Sequence, residues 1–571
     1  MVDFDKSNNE ALEAEDEYKS AVEEAYDYIE NFDLLETITN VGNDEVFTPR
    51  KTADMILDSL PNEVWHNPNY KWLNPATKNG IFEREIAIRL DDGLKDIIPN
   101  IEERRKHILQ NMLFSIGQTK FTSNVARRTL YYCSQANRKC DGLKAEDGHY
   151  INGYAIGNGS WFDDEEGNIL SPCTDHDFVN ASGQKMPANI NNDQKNKYKC
   201  KYCGISGSSS YNDANQKETY AYEFIHVNHL VLSKHLQNRF FKGDRNMKFD
   251  IIIGNPPYQL NTAKESSQAT PIYHLFVEQA KALNPKYISF IIPSRWYAGG
   301  MGLDDFRNSM TKDKRIVSID DFPNASECFP ANNISGGVCY FLWDKDKDSN
   351  LCKMNIHKNG NIDSDIRSLN EFPVLVRYNQ AVKIIRKVLD KKESKLDSLV
   401  SPISPFGIPT NFEFKEKQGA NDLLIYTSKG PKFIDKKFVS KNSGYEGKFK
   451  VLLSQTIPGK AGEAGPDGRH PVFASTMKVI GKDEICTHSY ILVGKCDNKE
   501  EADNLLSYLK TKLVRFLAYM CISSIHLSKS SFIFVPSQNF NESWTDEKLY
   551  QKYGLTKEDC DFIDSIIKEF N

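Results

Sequence analysis

Apolar runs with little polar alternation punctuate the middle of the chain, at Leu113–Ile116, Ile251–Ile253, Tyr287–Ile292 and Val338–Trp343. Runs of this kind predict strands buried on both faces, as in a parallel sheet covered by helices. Helical spacing separates them, at Glu83–Leu90, Thr119–Leu130 and Leu303–Met310, and at Pro271–Ala282, where Ile272, Leu275 and Phe276 would face the sheet. Strand and helix in alternation predict an α/β fold with a mostly parallel sheet. Tyr222–His226 reads as the strand preceding Phe249–Gly254, and Val317–Asp320 with Ser335–Trp343 as closing strands, ending this unit near residue 348.

The flanks differ in pattern. Residues 9–34 predict an acidic amino-terminal helix with irregular apolar spacing, and residues 349–400 a connector whose helical part is Tyr378–Leu396. From 401 to 535, short strands alternate with Gly-rich turns such as Pro458–Gly468, which predicts a second, mixed α/β unit. Thr545 to Phe570 reads as a packing tail.

Charge sharpens this division. The 571-residue chain carries a net charge of −6, yet residues 1–45 hold 15 acidic and 2 basic side chains, leaving the remainder at +7. Residues 351–480 have 22 Lys or Arg against 13 Asp or Glu, a modest footprint for a polyanion that a well-solvated lysine-rich surface would match equally. With neither a cleavable leader nor 18 continuous apolar residues, a cytoplasmic protein away from membranes is expected.

The sharpest chemistry lies where the run Ile251–Gly254 opens into Asn255-Pro256-Pro257-Tyr258. Two prolines stiffen the exit from a buried strand, and ligands of open α/β sheets sit at such carboxyl ends. An exocyclic amine on an aromatic base is a poor nucleophile because its lone pair is delocalised. The Asn255 side-chain oxygen and the Pro256 carbonyl could accept its two N–H bonds and aim the lone pair at an electrophile, with Tyr258 stacked on the extruded base. Upstream, Val46-Phe47-Thr48-Pro49 precedes a helix that Thr48 can cap and Pro49 can start. Trp72-Leu73-Asn74-Pro75-Ala76-Thr77-Lys78-Asn79-Gly80-Ile81-Phe82 reads as strand, tight turn and helix, the opening of a nucleotide-binding βαβ unit.

Cysteine spacing adds a metal candidate. Cys133, Cys140, Cys200 and Cys203 supply two thiolate pairs suited to a structural, tetrahedral Zn²⁺, with Cys173 and His176 as competing ligands and four unligated thiols as the alternative. The segment between the pairs is too polar to build much core and would gain from a metal clip.

These motifs resemble the gamma-type N6-adenine DNA methyltransferases of type II restriction-modification systems. The resemblance is strongest at 249–259, is supported at 46–50 and 73–82, and is weakest in the carboxyl-terminal half. It implies a Rossmann-like S-adenosylmethionine-dependent methyltransferase sheet over 46–348, interrupted by the zinc-binding insertion 133–203. A helical connector would follow over 349–400 and a target-recognition domain over 401–571. Asn255, Pro256, Pro257 and Tyr258 would be catalytic, and Phe47, Thr48, Pro49, Asn74, Pro75, Ala76, Asn79, Gly80 and Gln118 would hold S-adenosylmethionine. Double-stranded DNA is the expected partner, Lys441, Lys448 and Lys450 would neutralise phosphates, and any nuclease would be a separate restriction endonuclease subunit. Asn74 stands where the family loop has an acid, Lys78 where it has glycine, and Gln118 near its ribose-binding acid. Those departures keep open a non-catalytic DNA-binding specificity subunit, and an RNA or protein amine methyltransferase is a further alternative.

Overall fold

The computed structural model describes residues 46–117, 119–131, 135–137, 161–171, 177–201, 206–209, 223–244, 246, 248–260, 270–298, 302–332, 334–409, 411–439, 441, 444–458, 464–465, 467–522 and 526–570. The expected acidic helix at 9–34 lies outside them.

A nine-stranded sheet organises the first part of the chain. Its strands are β1 (Trp72–Thr77), β2 (Leu113–Gly117), β3 (Ile169–Leu170), β4 (Ile251–Gly254), β5 (Tyr287–Pro293), β6 (Ile316–Phe322), β7 (Val338–Asp344), β8 (Leu351–Lys358) and β9 (Asn361–Ser368). The order is β9-β8-β6-β7-β5-β4-β1-β2-β3. From β3 to β5 every pairing is parallel, whereas β7 runs antiparallel to both β5 and β6. Strand order reverses between β1 and β4, so the crevice at their carboxyl ends is the switch point where open α/β sheets bind ligands.

Side chains alternate between two cores. Trp72, Ile251, Ile253 and Ile291 pack beneath α1 (Arg50–Asp58), α2 (Ile81–Gly93) and α4 (Lys120–Tyr131); α3 (Ile101–His107) precedes β2. Leu73, Ile252, Phe290 and Ile292 face the other way, toward α6 (Tyr273–Ala282) and α7 (Asp304–Thr311), with α5 (His229–Phe240) on the same side. Ile272 and Phe276 are fully buried, as the helical spacing predicts, while Leu275 is half-buried.

Two expectations are corrected. Glu223–His226 is a turn of helix, because Phe224 and Ile225 bury themselves against α6 without joining the sheet. The sheet also does not close near residue 348. β8 pairs parallel with β6, and β9 pairs with β8 as an edge strand whose side chains are mostly exposed, which disguised it as connector. The helix within 349–400 is α8 (Asn379–Leu389).

The carboxyl-terminal half is mixed α/β. One three-stranded sheet joins β10 (Asp422–Thr427), β11 (Gly430–Asp435) and β14 (Glu484–Cys486), and another joins β12 (Phe449–Ser454), β13 (Lys478–Ile480) and β15 (Tyr490–Cys496). Phe406, Ile425, Tyr445, Leu452 and Leu492 fill the space between them. Helices α9 (Lys499–Lys510), α10 (Lys512–Tyr519), α11 (Asp546–Tyr553) and α12 (Lys557–Ile566) pack into the same core as Phe276 and Ile292. The two halves therefore share one continuous apolar interior.

Candidate active site

Asn255 leaves the carboxyl end of β4 and is 2% exposed. Its Nδ2 donates to the Val46 carbonyl at 3.0 Å and to Thr48 Oγ1 at 3.1 Å. A carbonyl can only accept, so this contact fixes which end of the amide is which. Oδ1 is thereby turned the other way, buried and without a hydrogen-bond partner. A buried acceptor left unmade costs on the order of 1–3 kcal/mol, and such vacancies are expected where a ligand supplies the donor.

Tyr258 lies three residues on. It is largely buried, its hydroxyl has no partner, and its ring meets Phe329 edge-on at 6.5 Å between centroids. Burial raises its phenol well above the ordinary range, so it is a neutral aromatic surface, not a base. The loop carrying Phe329 is tied to α1 by Thr52 Oγ1, which donates to the Cys328 carbonyl at 2.7 Å.

Residues 72–82 form the facing wall. β1 runs through Asn74, Pro75 and Ala76 to Thr77 before the chain turns into α2. Asn74 spends both ends of its amide inside the protein, donating to Glu83 Oε1 at 2.9 Å and accepting from the Ala76 amide at 3.1 Å. The interior thus takes up the side chain expected to face the cofactor. Asn79 accepts from the Ile81 amide at 3.3 Å, while its buried Nδ2 has no partner. Gly80, at φ +80°, caps α2 where a Cβ would lie 3.0 Å from the Ala126 backbone, so α2 and α4 require glycine there. Lys78, which stands at a glycine position of the family loop, is not among the residues with positive φ. Its ammonium turns inward and donates to the Val46 carbonyl at 2.8 Å.

The two walls interlock at Gly254. A Cβ there would stand 2.4 Å from Asn74 Oδ1, so the residue preceding Asn255 must be glycine. Glu83 lies behind this contact, fully buried, and accepts from Asn74 and from Ser115 Oγ at 2.6 Å. Burial pushes its carboxyl above the usual range despite those donors.

The amino-terminal block behaves differently from the helix-capping reading. Pro49 is the N-cap of α1 without any side-chain cap, and Thr48 instead offers its hydroxyl oxygen to Asn255. Phe47 and Thr48 are buried beside it. Sequence reasoning assigned no partner to Lys78, Glu83 or Phe329, because contacts across the fold leave no trace in local spacing.

Beyond Asn255–Tyr258, a cleft of about 780 Å³ opens between the carboxyl edge of β5 to β8 and the carboxyl-terminal half. Arg295, Lys358 and Arg377 line it on one side, His470 and Tyr519 on the other. At its floor Arg377 Nε lies 2.9 Å from Asp321 Oδ2, and Ser294 Oγ donates to Asp321 Oδ1 at 2.7 Å. Trp296, just beyond β5, is fully buried and anchors core.

Several expected site residues are placed elsewhere or not described. Lys450 is fully buried with its ammonium on the Gly481 and Lys482 carbonyls, at 2.9 and 3.2 Å, so it does not face a phosphate. Lys448 pairs with Asp497. Gln118, Cys133, Cys140 and Cys203, and with them Cys173 and His176, lie outside the described residues. Cys200 is buried in a short ladder with Phe178–Val179, and among the described residues no group of three His, Cys, Asp or Glu could hold a metal ion. Nor is any described helix long and apolar enough to cross a membrane.

The family model described as the Eco57I restriction-modification methylase matches residues 111–329. A Mycoplasma pneumoniae protein described as an uncharacterized adenine-specific methylase is 41% identical over 380 residues, covering 65% of this chain and 84% of its own length. The chain belongs to the adenine-specific methylase family. Among solved structures it is similar to a nuclease-deletion mutant of the Type ISP restriction-modification enzyme LlaGI in complex with a DNA substrate mimic, at 12% identity and a TM-score of 0.45. That match covers 82% of this chain and 44% of the other. The Type IIL restriction-modification enzyme MmeI in complex with DNA gives 10% identity, a TM-score of 0.42, and 85% and 64% coverage. The chain spans less than two thirds of either longer enzyme.

Proposed function

We propose that this family member is a site-specific DNA methyltransferase that transfers a methyl group from S-adenosylmethionine to N6 of an adenine extruded from duplex DNA. The observation that carries the reading is the unmet acceptor of Asn255, buried beside the aromatic face of Tyr258 at the switch point of the sheet. Among DNA bases, an exocyclic amine supplies the N–H that such an acceptor needs.

The residues present fit the cofactor. Asn79 Nδ2 is a buried donor awaiting an acceptor beside the start of α2. When bound there, S-adenosylmethionine supplies an electrophilic methyl on sulfur. Phe47, Thr48, Pro49, Pro75, Ala76, Asn79, Gly80 and Gln118 are the proposed cofactor contacts, with Asn74 acting through the loop it braces. Asn255 Oδ1 and the Pro256 carbonyl accept from the target amine and hold its lone pair in line with the methyl. Pro257 stiffens the turn, and Tyr258 stacks on the base with Phe329 at the pocket's edge. Arg295 and Lys358 give the adjoining cleft the positive lining that a displaced strand requires.

The order of segments, 46–50, then 73–82, 249–259 and a mixed α/β second half, supports a gamma-type enzyme of a type II system. In that reading the second half recognises the target sequence, and a separate polypeptide supplies any endonuclease. Cys133, Cys140, Cys200 and Cys203 are the proposed ligands of a structural Zn²⁺, which metal analysis of the purified protein would detect at one equivalent. The enzyme would act in the cytoplasm.

Transfer of labelled methyl from S-adenosylmethionine to duplex DNA, RNA and bulk protein tests the function. Label confined to adenine in duplex DNA is expected. Label preferring RNA or protein would move the reading to another amine methyltransferase, and binding of duplex without any transfer would leave a specificity subunit.

A further inference from the structure

The Val46 carbonyl is shared. It accepts from Lys78 Nζ at 2.8 Å and from Asn255 Nδ2 at 3.0 Å, which uses both of its lone pairs. Lys78 is only 5% exposed, and burying an ammonium is costly unless its bonds are made inside. Its backbone is not left-handed, so this position does not need glycine, and lysine adds a reach from the 72–82 loop to the amino-terminal block. Beside the Asn74–Gly254 interlock, a hydrogen-bonded path from the loop to the Asn255 amide therefore runs through the oxygen of Val46.

We infer that Lys78 is a positioning residue that couples the cofactor loop to the catalytic amide: by holding the Val46 carbonyl it sets where Asn255 Nδ2 is anchored, and hence where Oδ1 points. The inference rests on the methyl-transfer reading of the site. Asn255 has a second anchor, Thr48 Oγ1, which belongs to the same block and moves with it. Loss of the Lys78 contact removes the bond from the 72–82 loop to the Val46 carbonyl that Asn255 also uses. The amide is then free to swing by a fraction of an ångström, enough to misalign the amine it orients. The proposed cofactor contacts Pro75, Ala76, Asn79 and Gly80 keep their places and only Phe47, Thr48 and Pro49 are loosened, so the signature is a loss in kcat larger than the loss in cofactor binding.

The test uses full-length protein carrying Lys78→Met, which keeps the length of the chain but not the donor, and Lys78→Arg, which keeps a donor. Three quantities are read: kcat for methyl transfer to duplex DNA, the Kd for S-adenosylhomocysteine, and hydrogen exchange of peptides covering residues 46–52 and 249–258. Lys78→Met is expected to lower kcat by about 10- to 100-fold with Kd within about threefold of wild type. Exchange should speed up in 46–52 before 249–258, and Lys78→Arg should recover part of kcat. With Thr48→Val the losses should be non-additive, because both contacts fix one amide. An unchanged kcat overturns the inference, as does a Kd that weakens in step with kcat, which would place Lys78 on the cofactor. Exchange that quickens equally across both peptides would make it a fold-stability residue instead. Should the wild type transfer no methyl to any nucleic acid, the methyl-transfer reading falls, while the exchange data still decide whether Lys78 anchors residues 46–49.

Discussion

Asn255 and Lys450 are both polar, both at strands and both almost wholly buried, yet they use their hydrogen-bonding capacity differently. Lys450, on β12, directs its ammonium to two carbonyls of a neighbouring turn. Asn255, at the end of β4, spends its donor on Val46 and Thr48 and keeps its acceptor unspent. Burial alone does not distinguish structure from function, and sequence style put both residues in the site. Residual capacity separates the two residues, and the proposed function assigns that capacity at Asn255 to the target amine, because a buried acceptor left unmet costs free energy.

The largest expected consequence of this difference is at Asn255. Asn255→Ala should lower kcat by about 10³, the order seen when a preorganised hydrogen-bonding group is removed, with folding unharmed. Gly254→Ala comes next. Its Cβ would collide with Asn74 Oδ1, so the Asn255–Tyr258 loop must shift, and a loss of about 10²-fold in kcat/KM is expected together with a lower Tm. If Gly254→Ala were silent, the interlock between the two walls would be irrelevant to the chemistry.

Two lysines sharpen the comparison from the other side. Lys358 is exposed and lines the cleft, so Lys358→Ala should reduce the slope of log Kd for duplex against log salt by about 0.9. Lys450→Met should leave that slope alone and destabilise the fold by about 1–3 kcal/mol through two orphaned carbonyls. Burial lowers the Lys450 ammonium from 10.5 to about 8. The unfolded chain therefore binds the proton more tightly, and its penalty on folding is present in full below pH 8. That penalty fades as pH rises from about 8 toward 10.5, so wild type should gain stability relative to Lys450→Met across that window.

The smallest effect is expected at Glu83. Its carboxyl is raised by burial, so the folded state resists ionisation and stability falls as pH climbs above 4.5. Glu83→Gln keeps an acceptor for Asn74 and Ser115, and should flatten the dependence of Tm on pH and raise Tm by a few degrees at neutral pH. A pH profile unchanged from wild type would mean that Glu83 carries its charge at no cost.

Much of the central sheet was legible in the sequence because strands buried on both faces are apolar throughout, as at Ile251–Ile253 and Tyr287–Ile292. The place of Asn255-Pro256-Pro257-Tyr258 at the exit of a buried strand was legible because the apolar run and the two prolines follow each other in the sequence. β9 was missed because an exposed edge strand has no apolar face to announce it, and Phe224-Ile225 misled because two buried residues in a row fit a helical turn as well as a strand. Lys450 illustrates the same limit, since the carbonyls that claim it come from a turn some 30 residues later. Lys78 and Glu83 acquire meaning only when residues 46, 74, 83 and 115 are brought together by the fold.

The account turns on what meets the unspent oxygen of Asn255. The most direct measurement is nucleoside analysis of duplex DNA after incubation with labelled S-adenosylmethionine, comparing wild type with Asn255→Ala at matched S-adenosylhomocysteine binding. The predicted result is N6-methyladenine from wild type and none above background from the variant. Label on any atom other than an exocyclic amine, or N6-methyladenine persisting at the wild-type rate in Asn255→Ala, would contradict it.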